Sequence, residues 1–225
     1  MPSDKLKNQF HLHVLVLIAG FTAILGELIT LEAIPLVWYR MIFAGILMYI
    51  FIVIKKVNIT VPLRDLIKFF LAGILIALHW ITFFAAIKVS NISIALAMFS
   101  TGAFFASFIE PIILKRKIIK YEIVFGLIVI AGVCIIVQAE LKYLSGVILG
   151  ILSALFSTLF AVLNGTFVKR HNASVISFYE FISGVLFISI FLAFTPKGFS
   201  TSFFSLSLSD LCYLIVLASI CTAYA

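Results

Sequence analysis

The chain has 225 residues, 64% apolar and 11% charged, with 24 Phe; a soluble domain runs near about 45–50% apolar and about 25% charged. So much apolar surface cannot hide in one core of this size, so lipid must solvate most of it. Disorder, a collagen-like fibre, a disulfide scaffold and a soluble Rossmann or barrel enzyme are thereby excluded. The net charge of +7 does not point to nucleic acid, because Lys and Arg never share a polar segment with base-stacking aromatics.

Lys5 and Lys7 precede an apolar run from His13 to Leu31. That run is long and lacks a small-x-small cleavage site, so it reads as a retained first helix, not a signal peptide. Further runs of spanning length follow at 34–54, 69–87, 92–114, 122–139, 146–168 and 174–194, the first being 14–31. An eighth, 211–225, is too short to span comfortably. None shows the alternation of a barrel strand, so the expected fold is all-α, a polytopic membrane helix bundle. Cys134, Cys212 and Cys221 lie inside apolar runs without a Cys-x-x-Cys spacing and are expected to be buried small hydrophobes.

Basic residues alternate between loops. Lys5, Lys7, Lys55, Lys56, Arg64, Lys68, Lys115, Arg116, Lys117, Lys120, Lys169 and Arg170 fall on one side, and only Lys88, Lys142 and Lys197 on the other. The positive-inside rule makes the N-terminus cytoplasmic. At an offset of 140 residues, Tyr39-Arg40 falls on Tyr179-Glu180, and Thr82, Phe84 and Ala85 fall on Thr222, Tyr224 and Ala225. Five spans per copy is an odd number, so a second copy would be inverted. The expected units are 13–140 and 145–225, the second stopping after about its third helix. A chain so cut is expected to insert without transporting.

Specific stretches carry a family likeness: Trp38-Tyr39-Arg40, Thr82 to Ile87 running into Ile94-Ala95-Leu96-Ala97, Glu110-Pro111 before a basic turn, Glu122, and the Gly126 to Gly132 helix. In these the chain resembles the drug/metabolite transporter superfamily, EamA-type branch, whose members have ten helices in two inverted five-helix repeats. It departs from many relatives in having Lys115-Arg116-Lys117 where they carry a Gly-Glu-Arg turn, and in lacking the last two helices. The resemblance implies a secondary carrier of small metabolites, often an exporter, in the cytoplasmic membrane.

Polar groups at membrane depth are the candidate substrate-binding or gating residues. Arg40 lies about 9 Å below the outer face and Glu27 about 6 Å below it, which makes Glu27 the expected partner of Arg40. Glu180, the repeat mate of Arg40, lies about 9 Å from the inner face, some 12 Å from Arg40 along the normal, so the two would flank a central site without touching. His79, about 15 Å deep beside Trp80, is the deepest ionisable group, with Ser100 and Thr101 as expected partners. Tyr39, Trp80, Phe104 and Tyr179 are expected to wall an aromatic cavity. Each has a structural alternative: a snorkelling Arg40, a hydrated Glu180, a neutral packed His79, lipid-facing aromatics. Glu110 before Pro111 reads as a helix end.

Gly146, Gly150, Ser153, Ser157 and Ala161 form one small-residue face, expected to pack within the bundle, with a homodimer as its other use. Asn91-Ile-Ser93 fits a glycosylation acceptor on the outer side. The expected partners are a small-molecule substrate and the lipid bilayer, with no nucleic acid, cofactor or metal. An intramembrane enzyme lacks its signatures here, with no His-Glu-x-x-His, Gly-x-Ser-x-Gly or paired intramembrane aspartates. A channel lacks a filter motif. A non-transporting membrane scaffold is the remaining alternative.

Overall fold

The structure, a computed structural model, describes residues 2–139, 141–196 and 198–224. Lys197 and Ala225, both used above for topology and repeat, lie outside the described residues, as does Glu140 at the end of the first expected unit. Every element of regular structure among the described residues is helical, without strands. The helices are α1 (Pro2–Leu28), α2 (Ala33–Lys55), α3 (Leu63–Val89), α4 (Ile92–Phe99), α5 (Gly102–Leu114), α6 (Lys120–Ala139), α7 (Leu144–Phe167), α8 (Ala173–Phe194) and α9 (Leu208–Ala218). A π-helical turn, Ser219–Tyr224, continues α9. Among the described residues seven spans are long and apolar enough to cross a membrane, with α4 and α5 together making the fourth. The chain is a multi-pass membrane helix bundle.

Helix ends follow local chemistry. The side chains of Asn91, Asn172 and Ser207 accept from the backbone N–H groups of Ile94, Ser174 and Asp210 at 2.9, 2.9 and 3.0 Å, capping α4, α8 and α9. Lys56 and Lys115 close α2 and α5 in the left-handed conformation, φ 50° and 53°, without the glycine usual there. The fourth span is broken between α4 and α5 because Ser100 and Thr101 turn their hydroxyls back onto the carbonyls of Ala97 and Met98, at 2.6 and 2.7 Å. Such back-bonding bends helices.

Two loop clusters tie opposite ends of the bundle. At one end Asp65 bonds Lys68 at 2.6 Å and His171 at 3.0 Å, joining the start of α3 to the α7–α8 turn. Arg116 there clasps Glu110 at 3.1 Å and Glu122 at 2.8 Å, and these carboxylates, Glu122 foremost, hold its guanidinium above the ordinary range. At the other end buried Asp210 accepts from the backbone N–H and hydroxyl of Thr30, both at 2.7 Å, fixing α9 to the loop after α1. Helices α2 and α8, which start at Ala33 and Ala173, keep the 140-residue offset.

Helix α3 is the most enclosed span and packs on α2, α7 and α8. Its crossing with α8 depends on Gly73. A Cβ there would meet the Glu180 carbonyl, Ser183 Cβ at 2.7 Å and Glu180 Cα at 2.9 Å. On α7, a Cβ added at Gly146 or Gly150 would come within 2.5 Å of Ser90 Cβ or 2.6 Å of Met98 Cβ, and Ser153 is fully buried against α3, so this stretch of the small-residue face packs within the bundle. The cysteines depart from expectation. Only Cys221 is buried, whereas Cys134 and Cys212 are exposed, because lipid-facing positions of a span are as apolar as its core and composition cannot separate them.

Gly73, against the α8 backbone, and Gly165, with nothing within 4 Å of an added Cβ, make a contrasting pair. Gly73→Val should lower thermal stability by about 1–3 kcal/mol through overpacking at the α3–α8 crossing. Gly165→Ala, with open space around its Cβ, should raise it by about 0.5–1 kcal/mol. Thermal unfolding of the purified protein in one detergent checks both signs.

Candidate functional site

A cavity of about 470 Å³ opens between α1–α4 on one side and α7, α8 and the turn after α9 on the other. Its wall includes Arg40, His79, Trp80, Asn164, Glu180 and Thr222. Arg40, His79 and Glu180 are all buried, Arg40 and Glu180 at 2% exposure each. One cavity thus gathers three of the four intramembrane ionisable groups read from the sequence, Glu27 being the exception, together with the tryptophan.

Arg40 is held by neutral groups. Its Nε donates to Thr222 Oγ1 at 2.8 Å, and Nη2 donates to the Cys221 carbonyl at 3.3 Å. The guanidinium carbon lies 3.8 Å from the centroid of the Trp80 ring, a cation–π contact. Nη1 has no hydrogen-bond partner, and no carboxylate lies within ion-pair distance of Arg40 among the described residues. The expected Arg40–Glu27 pair does not form. Helix α1 ends at Leu28, so Glu27 sits exposed in the last turn, and its carbonyl accepts from Lys88 at 3.3 Å.

The Nδ1 atom of His79 lies 3.0 Å from the Ser153 carbonyl and 2.8 Å from Ser153 Oγ. A carbonyl only accepts, so Nδ1 carries the proton and Nε2 is left as an acceptor, with no hydrogen-bond partner among the described residues, on a residue that lines the cavity. The ring stacks on Phe99 at 5.3 Å. Ser153 thus replaces the expected Ser100 and Thr101, whose hydroxyls are spent on their own helix. Ser100 instead borders a separate groove of about 630 Å³ with Glu110 and Ser157.

Glu180 Oε1 accepts from Asn164 Nδ2 at 2.9 Å. As expected, Glu180 and Arg40 make no ion pair with each other. The aromatic wall is built differently from the expected one, with Trp80 alone shared. Trp80 lines it with Phe83, Phe99, Phe160 and Phe181. Tyr39 stacks on Phe203 at 5.8 Å, Tyr179 donates to the Ile59 carbonyl at 2.9 Å, and Phe104 packs on Phe108 at 5.1 Å, all away from the cavity. Sequence reasoning did not find Asn164. The signal was there, a lone amide inside an apolar span, but it carries no charge to draw attention.

A lipid-level cavity lined by a few convergent polar groups inside a helix bundle defines a membrane protein built to handle small solutes. Residues 10–138 match the EamA-like transporter family, and the chain belongs to it. That family, of the drug/metabolite transporter superfamily, makes it a membrane transporter of small molecules; the family is one of transporters, not enzymes. No curated protein and no solved structure matches the chain.

If Asn164 is the donor that keeps Glu180 buried, Asn164→Leu should cost about 1–3 kcal/mol of stability, the penalty for stranding a buried acceptor. In a Glu180→Leu background the same change should cost much less. A thermal-unfolding double-mutant cycle reads the difference, and additive losses would separate the two residues.

Proposed function

We propose that this protein is a secondary carrier of small metabolites, an exporter, that works by alternating access in the cell membrane with its N-terminus cytoplasmic. Residues 13–140 and 145–225 belong to two inverted units, and the substrate binds between them. Arg40 and Glu180 flank the site from opposite faces, with His79 and Trp80 between. The observation that carries this reading is the cavity, lined by helices of both units and by every one of these four side chains. The matching starts of α2 and α8, 140 residues apart, support the repeat. The basic loops on the side of Lys55, Arg116 and Arg170 support the orientation. Tyr39, Tyr179, Glu27, Ser100 and Thr101 keep supporting or gating roles outside the cavity wall.

The test is a screen for metabolite accumulation and toxic-analogue resistance, comparing loss with expression of the gene, followed by variants at Arg40. Arg40→Lys should lose at least about tenfold in transport per inserted molecule. Lysine keeps the charge but cannot bond Thr222 and Cys221 while lying flat on Trp80. Near-normal transport by both Arg40→Lys and Arg40→Gln would remove Arg40 from the site.

A further inference from the structure

Three observations about the cavity combine. Arg40 is 98% enclosed and lines it, yet one guanidinium nitrogen is unpartnered and no carboxylate neutralises the charge among the described residues. Most of the remaining wall is aromatic or aliphatic, with Trp80, Phe83, Phe99, Phe160 and Phe181 on it. A second ionisable group, Glu180, shares the same space; among the described residues no cation pairs with it, and its carboxylate accepts from the amide of Asn164.

A buried guanidinium with an unpartnered nitrogen and no counter-charge favours an anionic acceptor, because charge-assisted bonds are about twice as strong as neutral ones. One free nitrogen suits a carboxylate better than a phosphate, which calls for several donors at once. The apolar wall suits a ligand with an aromatic or aliphatic body. The remaining charge on the wall decides when the ligand binds. The titratable and charged groups that line the cavity with Glu180 are Arg40 from α2, His79 from α3 and Cys221 from the turn after α9; α7 contributes the neutral Asn164, and α1 and α4 contribute no ionisable group. With Glu180 ionised, the wall is already balanced against Arg40. With Glu180 protonated, the wall carries one net positive charge and favours a monoanion.

We propose that the cavity binds a small hydrophobic carboxylate at Arg40 together with a proton on Glu180, so that anion and proton are taken up and released as a pair. The inference rests on the carrier reading only in making this anion the cargo; the binding site and its proton linkage stand on the cavity alone. A sphere of the cavity's volume is about 10 Å across, and two unit charges at that separation with an effective dielectric near 20 couple by roughly tenfold in binding. Reciprocity requires the anion to tighten proton binding by the same factor.

Trp80 supplies the reporter. The chain has two tryptophans, and Trp38 lies outside the cavity, donating to Ser189 at 2.8 Å. In the purified full chain carrying Trp38→Phe, benzoate and its neutral analogue benzamide are titrated against Trp80 emission at pH 6 and pH 8, benzoate being ionised at both. The expected result is benzoate binding that is roughly tenfold tighter at pH 6, no comparable binding of benzamide, loss of binding in Arg40→Gln, and tight, pH-independent binding in Glu180→Gln. Equal binding of benzamide, or benzoate binding that survives Arg40→Gln in a protein that still unfolds cooperatively, overturns the anion site. Persistence of the pH dependence in Glu180→Gln assigns it to His79 and overturns the linkage. Transport of screened metabolites by a protein that binds no benzoate leaves the carrier reading standing and rejects this one.

Discussion

The costliest feature of this fold is a guanidinium buried in the middle of a lipid-facing bundle with no carboxylate to meet it. An Arg at the centre of a membrane helix costs about 2.5–3.5 kcal/mol even on insertion scales that allow snorkelling. Here Arg40 is enclosed and cannot snorkel. Its cost is offset by neutral groups from two other places in the chain: the hydroxyl of Thr222 and carbonyl of Cys221 in the π-helical turn, and the face of Trp80 on α3. A π-helical turn is suited to the task because its wider ring leaves carbonyls turned away from the regular ladder. Thr222 Oγ1 itself donates to the Leu217 carbonyl at 2.7 Å, so the same hydroxyl stabilises the turn and receives the arginine.

For these partners to meet, α2, α3 and α8 must approach closely, and small residues at the crossing allow it. Gly184 faces Met41 and lies 3.2 Å, measured from an added Cβ, from the Gly73 carbonyl. The Ser183 hydroxyl donates to the Phe70 carbonyl at 2.6 Å across the α3–α8 crossing. That close seam delivers Glu180 to the cavity wall. On the other flank the α7 small-residue face brings Ser153 against His79. The polar groups of the cavity are therefore set by backbone approach, and each is held by a neutral hydrogen-bonding partner.

How much of this was legible in the sequence differs by level. Five of the seven spans were found within a few residues, because long apolar runs have few other uses. Helix α1 starts at Pro2 and α3 at Leu63, well before the expected 14 and 69, because their first turns carry polar residues that the apolar run excludes. Arg40, His79 and Glu180, which converge on the cavity, were found because ionisable residues in lipid are rare and counting about 1.5 Å per residue fixes their depth, and Trp80 was found as an aromatic beside His79. Partners were not legible. Glu27 was paired with Arg40 by assuming that the helix follows its apolar run to Leu31; Ile29 and Leu31 are buried, but beyond the helix end at Leu28. Ser100 and Thr101 were paired with His79 by depth alone, which ignores the local carbonyls that serine and threonine prefer. Tyr39 and Tyr179 were placed on the cavity because ligand sites are lined by aromatics, but they adjoin Arg40 and Glu180 in the chain, and neighbours on a helix point about 100° apart and face other elements.

Cys221 offers the most direct measurement of whether this cavity is the translocation path. It lines the cavity and is buried, while the other two cysteines face outward and can be replaced by serine. In sealed vesicles of each orientation, a small charged methanethiosulfonate reagent applied from outside should modify Cys221 in both right-side-out and inverted preparations, since an alternating site opens to each face in turn. Modification from neither face would make the cavity a closed structural core and contradict the carrier reading.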